Sequence, residues 1–240
     1  MSELAAERVF DAERNREIAE EFFREGCVLV PGILTADEVA ELRARTDYYF
    51  ENRDTIPSRH VSYVSGAFVL RNGADLDPLF QGMVAREPIP SLVAAVLGPN
   101  PAFNALNIIR NEPGQAISHW HVDDVVEFPL PEAVPRFDAR MRMPVFWFTV
   151  QVALSDISTL EHGPTQYVPG SHYSGRRPPS QEDPAFEGRG PTAMFCRAGD
   201  IYFTNHQAWH RGAPNTSDRV RYVMQLQYAQ RWAAVRFGSA

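Results

Sequence analysis

The chain has 240 residues, of which 44% are hydrophobic and 22% charged, a balance typical of a globular protein. A net charge of −7 argues against a general nucleic-acid binder, which needs a basic face. The two cysteines, Cys27 and Cys196, form neither a disulfide framework nor a CxxC metal site. The N-terminus lacks the apolar core of a secretory signal, and no run approaches the roughly 18 apolar residues of a membrane helix. We expect a cytoplasmic protein with no nucleic-acid and no membrane partner.

Three helices are predicted in the first 100 residues. Ile18 and Phe22 recur at helical spacing among charged residues, which predicts an amphipathic helix over residues 12–25. Thr35 is followed three residues later by Glu38, the pattern of a capping box at the start of a second helix. A third, short helix is predicted between Pro88 and Gly98.

Short apolar runs bounded by Gly and Pro then predict strands at 27–30, 61–64, 67–70, 103–110, 145–154, 201–205 and 219–228. In the last run, Val220, Tyr222, Met224, Leu226 and Tyr228 alternate with Arg219, Arg221, Val223, Gln225 and Gln227. This order predicts a mainly β fold with flanking α-helices, a two-sheet jelly-roll barrel of the double-stranded β-helix or cupin-like type. We expect one domain over 1–240, with N-terminal helices at about 12–52 and the barrel at about 60–230.

Three residues form a candidate metal site. His121 and Asp123 are two apart, and residues i and i+2 of a strand share a face, so both side chains can reach one ion. His210 lies 87 residues after Asp123 and can supply a third ligand from a distant strand. Two histidines and one carboxylate bind Fe(II) with open coordination positions, and also accept Mn, Co or Zn. An His-x-Asp pair alone occurs often by chance, so it needs further support.

An arginine adds that support. Arg221 lies 11 residues after His210 on the final predicted strand, where a guanidinium could hold a carboxylate in bidentate geometry. Arg219 has the same parity on that strand. The spacing alone therefore does not choose between the two arginines.

The chain resembles the phytanoyl-CoA hydroxylase family of Fe(II)- and 2-oxoglutarate-dependent dioxygenases. The stretches that carry the resemblance run from Phe22 to Gly32, His121 to Asp123, Gly163 to His172 and His210 to Arg221, in the family's order. The resemblance implies Fe(II), 2-oxoglutarate as co-substrate and dioxygen, with His121, Asp123 and His210 as iron ligands. It also implies that Arg221, rather than Arg219, pairs with the distal carboxylate of 2-oxoglutarate. Gln151 and Asn107 are further co-substrate candidates; a hydrogen-bonded core amide is the alternative for each.

The implied activity is oxidation of a small organic molecule, most simply its hydroxylation, in secondary metabolism. Halogenases of the family replace the carboxylate ligand with a small residue, so Asp123 favours oxygenation. Two alternatives stay open: a barrel metalloprotein that does not use 2-oxoglutarate, such as an isomerase or another dioxygenase, and a non-catalytic small-molecule binding barrel. The sequence does not indicate an oligomeric state.

Several other residues are given structural or open roles. His119 is expected to pack in the interior or to contact a metal ligand, and not to bind the metal itself. Trp120 and Trp209 either belong to the barrel core or hold a substrate. The segments 127–144, with Arg136, Arg140 and Arg142, and 174–191 are expected to shape the pocket mouth. His172 is assigned to a structural turn, and His60, His162 and His206 to no role.

Overall fold

The structure is a computed structural model that describes residues 10–115, 119–123 and 142–237. Its α-helices are α1 (Ala12–Glu25), α2 (Ala36–Glu51), α3 (Pro78–Val84), α4 (Ile89–Leu97) and α5 (Arg231–Phe237). Its strands are β1 (Cys27–Val30), β2 (Val61–Val64), β3 (Ala67–Leu70), β4 (Ala102–Asn111), β5 (Trp147–Ala153), β6 (Thr165–Tyr167), β7 (Thr192–Ala193), β8 (Ile201–Asn205), β9 (His210–Gly212) and β10 (Arg221–Ala229). No helix in these ranges is long and apolar enough to cross a membrane.

Two antiparallel sheets build the barrel. The major sheet has seven strands in the order β1-β8-β5-β10-β4-β3-β2. The minor sheet has three strands in the order β7-β6-β9. An isolated bridge between His121 and His210 adds the segment His119–Asp123 beside β9. The jelly-roll fold predicted from the sequence is confirmed.

The two faces of the major sheet have different surroundings. On β5 and β10, Phe148, Val150, Val152, Met224 and Leu226 point outward and join one apolar core with side chains of α1, α2 and α4. The residues between them on the same strands point inward, towards the minor sheet. On β10 this is the alternation predicted from the sequence, and on both strands it separates the packed core from the side that holds polar groups.

Helix α1 is fixed at both ends by its sequence. The Asp11 side chain accepts a hydrogen bond from the Arg14 backbone N–H (2.8 Å), which caps the first turn. The helix ends at Gly26, whose φ of 80° is in the left-handed region. A Cβ at Gly26 would lie 2.6 Å from Nδ1 of His172. Glycine is therefore required here by both conformation and space.

The predicted capping box of α2 is present. The Glu38 backbone N–H donates to Thr35 Oγ1 (3.2 Å), and the Glu38 carboxylate accepts from the Thr35 backbone N–H (2.7 Å). Both groups thus satisfy N–H donors that the first helical turn leaves unpaired.

Several elements were not predicted from the sequence. The strand predicted at 27–30 is present as β1, and it pairs with β8 at the edge of the major sheet. Helices α3 and α5 and the short strands of the minor sheet were not predicted. On an unbroken strand Phe103 would share a face with Asn107 and Ile109, but the register of β4 shifts opposite Gln227 and Tyr228, and Phe103 packs edge-on against Tyr228 at 5.6 Å. A bulge in the strand reverses the parity of the residues beyond it.

Truncating Phe148 to alanine is expected to destabilise the fold by about 3–5 kcal/mol, because the ring is fully buried against Phe22 and Phe203 and the cavity would not close. Urea unfolding followed by circular dichroism measures this change. The matched control is Phe195→Ala, since Phe195 is 45% exposed and should change stability by no more than about 0.5 kcal/mol. Equal effects of the two substitutions would contradict the assigned core.

Candidate metal centre

The predicted ligands converge on one point. The Nε2 atom of His121 lies 3.2 Å from Oδ1 of Asp123, and Nε2 of His210 lies 3.4 Å from Oδ2 of the same carboxylate. One donor atom from each of the three residues falls within 4.8 Å of the other two. Residues 89 positions apart in sequence are thus brought to the spacing that one metal ion needs.

Backbone pairing sets this convergence. The backbone N–H of His121 donates to the carbonyl of His210 and that of His210 to the carbonyl of His121, each at 3.0 Å. The backbone N–H of Asp123 donates to the carbonyl of His206 (2.9 Å). The two segments lie side by side, so His121 and Asp123, two residues apart, present their side chains to the same space as His210. His210 was expected just past a strand; it is the first residue of β9.

The tautomers of His121 and His210 are fixed by their backbone hydrogen bonds. Nδ1 of His121 lies 2.8 Å from the carbonyl oxygen of His119, and Nδ1 of His210 lies 2.8 Å from that of Ala208. Because a carbonyl oxygen only accepts, both Nδ1 atoms carry the proton, which leaves the Nε2 lone pairs directed at the cluster. His119 thus supports the site through its backbone, while its own side chain is exposed.

The charges in the cluster favour an ionised carboxylate. Burial would raise the pKa of Asp123, but His210, His206 and His121 outweigh it and hold this pKa well below its usual range. Burial would lower the pKa of His210, and Asp123 outweighs it, so that pKa is raised. The carboxylate is therefore in the form that binds a cation at neutral pH.

The cluster opens into a cavity of about 320 Å³ between the two sheets. This volume is within the range of small-molecule sites. Its wall is the inner face of the major sheet, continued by residues of the minor sheet. The described wall consists of His121, Asp123, His206 and His210 with Val64, Ile109, Trp147, Thr149, Gln151, Thr165, Arg211, Gly212, Arg221, Val223, Gln225 and Gln227.

Arg221 is the buried cation of this cavity. It is 5% exposed, it hydrogen-bonds the hydroxyl of Tyr202, and its Nε has no hydrogen-bond partner in the part of the chain that the structure describes. Burial lowers its pKa, but a guanidinium stays protonated in proteins. In the described ranges no acidic side chain forms an ion pair with Arg221. Arg219 instead lies at the surface against the ring of His162. The structure therefore distinguishes the two arginines, which strand parity alone could not do.

The two amide candidates lie on one cross-strand row. Asn107 pairs with Gln225 on β10, and Gln225 pairs with Gln151 on β5. Gln151 lines the cavity and accepts a hydrogen bond from Gln225 (3.2 Å). The oxygen of Asn107 instead accepts from the Asn72 backbone N–H (3.1 Å), and Asn107 is absent from the described cavity wall. Gln151 is the better placed of the two.

His206 was given no role, yet it belongs to this site. Its side chain is 1% exposed, with Nε2 2.6 Å from Thr149 Oγ1 and 3.6 Å from Asp123 Oδ2. Burial lowers its pKa to about 4, so the ring is neutral at pH 7. His206 and His210 flank the connection that crosses from the major to the minor sheet. Their separation by only four residues, at the end of a predicted strand, could have indicated that both lie near the same site.

The remaining candidates fall outside the cavity. Trp120 and Trp209 belong to a satellite apolar cluster with Val168, Tyr173 and Phe186, so they are core. Arg142 forms an ion pair with Glu20. Arg136 and Arg140, with most of 127–144, lie outside the described residues. Segment 174–191 contacts both tryptophans, through the Arg176 carbonyl and the Gln181 amide, and supplies no residue to the described cavity wall. His172 is part of the buried turn Ser171–Ser174.

A jelly-roll barrel with two histidines and a carboxylate around one point defines a mononuclear metalloprotein with open coordination positions. The chain belongs to the phytanoyl-CoA dioxygenase (PhyH) family, whose family model matches residues 22–223. This confirms the family of Fe(II)- and 2-oxoglutarate-dependent dioxygenases predicted from the sequence, and with it the assignment as an enzyme.

Solved structures share the fold. SnoN, a non-heme alpha ketoglutarate dependent epimerase from nogalamycin biosynthesis, is 22% identical, with a TM-score of 0.70 over 91% of this chain and 84% of that chain. SnoK, a carbocyclase from the same biosynthesis, is 22% identical, with a TM-score of 0.65 over 89% of this chain and 83% of its own. HygX from Streptomyces hygroscopicus, with nickel and 2-oxoglutarate bound, is 16% identical, with a TM-score of 0.71 over 90% of this chain and 87% of that chain.

Proposed function

We propose that this protein is an Fe(II)- and 2-oxoglutarate-dependent oxygenase that hydroxylates a small organic molecule. His121, Asp123 and His210 hold the iron, and Arg221 binds the distal carboxylate of 2-oxoglutarate. The observation that carries the proposal is the convergence of these three donor groups within 4.8 Å, in a cavity that also contains the buried Arg221.

The residues fit both groups. The donor set is two imidazole Nε2 lone pairs and one ionised carboxylate, which suits Fe(II) and leaves coordination positions open. Arg221 is buried without an acidic partner in the described part of the chain, and such a charge is costly unless an anion pairs with it. A dicarboxylate with one end at the iron supplies that anion at its other end.

The chain's own contribution is binding and orientation. Arg221 fixes one end of the co-substrate, and we assign Gln151 a hydrogen bond to it; the role of Asn107 stays a prediction. Ile109, Val223 and Trp147 give the cavity apolar walls that limit access of water. The iron, with 2-oxoglutarate and dioxygen, supplies the oxidising power to attack a carbon–hydrogen bond.

A small molecule is the proposed substrate. Solved relatives of the fold have been crystallised with nogalamycin RO and with hygromycin B, which supports a natural-product substrate here. The described cavity of about 320 Å³ must hold the co-substrate as well, which favours a compact substrate group at the iron. The neighbours named epimerase and carbocyclase make a reaction without net oxygen insertion the second candidate.

Anaerobic titration of the Fe(II) protein with 2-oxoglutarate tests the proposal. We expect a new visible absorption band as the co-substrate binds, and succinate release when dioxygen and a suitable substrate are added. Product mass separates the candidates, because hydroxylation adds one oxygen atom whereas epimerisation adds none. Absence of any spectral change with the iron-loaded protein would contradict the proposed co-substrate.

A further inference from the structure

His206 contacts the proposed ligand Asp123 twice. Its carbonyl accepts the Asp123 backbone N–H at 2.9 Å, and its ring Nε2 lies 3.6 Å from Asp123 Oδ2. The ring is buried and packs against the indole of Trp147, with 4.1 Å between ring centroids. His206 is nevertheless outside the group of residues whose donor atoms lie within 4.8 Å of one another.

The hydrogen bonds around the ring indicate its tautomer. Nδ1 is buried and has no hydrogen-bond partner among the described residues, whereas Nε2 faces Thr149 Oγ1 at 2.6 Å and Asp123 Oδ2 at 3.6 Å. An orphaned buried N–H is rarer than an under-satisfied acceptor, so the proton belongs on Nε2, where Thr149 Oγ1 accepts it and the Asp123 carboxylate lies nearby. This is the reverse of His121 and His210, whose Nδ1 atoms carry the proton.

We propose that His206 is a positioning residue for the metal centre. Its Nε2–H donates to Thr149 Oγ1, which fixes the ring so that the N–H dipole lies beside Asp123 Oδ2 at 3.6 Å. With the His206 carbonyl that accepts the Asp123 backbone N–H, this dipole holds the carboxylate towards His121 and His210. Thr149 is therefore the residue that sets the orientation of the ring. The inference rests on the proposed metal site of His121, Asp123 and His210.

Two amide variants separate positioning from packing. In His206→Gln the side-chain N–H₂ reaches the place of Nε2, whereas in His206→Asn it stops near the place of Nδ1. Outer hydrogen-bond partners of metal ligands typically contribute about 10- to 100-fold in metal affinity. We expect Co(II) affinity to fall by about that factor in His206→Asn and to stay close to that of the unmodified protein in His206→Gln.

The measurement is anaerobic Co(II) titration of the metal-free protein, read from the d–d absorption bands and from competition with a chromophoric chelator. Neither readout depends on turnover or on 2-oxoglutarate. Thermal unfolding of the metal-free variants verifies that both are folded, and His162→Asn, at a surface histidine, should bind Co(II) normally. Equal affinities of the Gln and Asn variants would overturn the proposal.

The unmodified protein offers an independent test. Long-range ¹H–¹⁵N correlation of the histidine rings should show His206 protonated at Nε2, and the Nδ1-protonated form would overturn the proposal even if neither variant folds.

The variant His121→Ala separates a failure of the proposed metal site from a failure of the positioning role. If it retains Co(II) affinity, the metal site itself is wrong; if it loses Co(II) while His206→Asn does not, only the positioning role is wrong.

Discussion

Replacing Asp123 with asparagine is expected to lower Fe(II) affinity by more than about 100-fold and to abolish 2-oxoglutarate-dependent succinate formation. The magnitude follows because residues behind a ligand already contribute about 10- to 100-fold, and Asp123 is proposed to bind the metal directly. Asparagine keeps the shape of the side chain but removes its charge. His121 and His210 would then face a neutral amide, and the cluster would lose the group that attracts the cation.

Two measurements make this prediction specific. Anaerobic equilibrium binding of Fe(II) reports on the ligand set, and succinate release reports on turnover. The matched control is Asp54→Asn, because Asp54 is an exposed aspartate outside the cavity wall. Both quantities should be unchanged in the control. Full metal affinity in Asp123→Asn would show that the carboxylate is not a ligand.

Much of this site could be predicted because the strands that carry it are long and regular. The alternation on β10 placed Arg221 opposite the apolar residues of that strand, and Gln151 was a candidate on the strand predicted at 145–154. The structure puts both in the cavity wall. The His-x-Asp spacing placed His121 and Asp123 together. Resemblance to the family then separated Arg221 from Arg219, which face parity could not do.

The rest depends on features that leave no period in the sequence. Strands β6 and β9 have three residues each, too few to show alternation, so the minor sheet was not predicted. The bulge in β4 changed the face of Phe103 without any glycine or proline to mark it. His206 lies in a turn, and its approach to Asp123 follows from the crossing between sheets. The single-domain organisation over 1–240 stays a prediction.

Replacing Arg221 with methionine is expected to weaken 2-oxoglutarate binding by about 2–5 kcal/mol, which is roughly 30-fold to a few thousand-fold, since the co-substrate carboxylate would be buried without its cation. Metal affinity should not change, because Arg221 is not one of the clustered ligands. Arg221→Lys should give a smaller loss, as it keeps the charge but not the bidentate geometry.

The metal-free protein should respond in the opposite sense to the same substitution. Without co-substrate, Arg221 is a buried charge with no acidic partner in the described ranges, and methionine removes that desolvation cost. We therefore expect Arg221→Met to unfold at the same temperature as the unmodified protein or higher, while 2-oxoglutarate no longer stabilises it. Arg219→Met is the matched control, since Arg219 contacts His162 at the surface. Thermal unfolding with and without 2-oxoglutarate measures both effects, and equal ligand stabilisation in Arg221→Met and Arg219→Met would contradict the assigned role of Arg221.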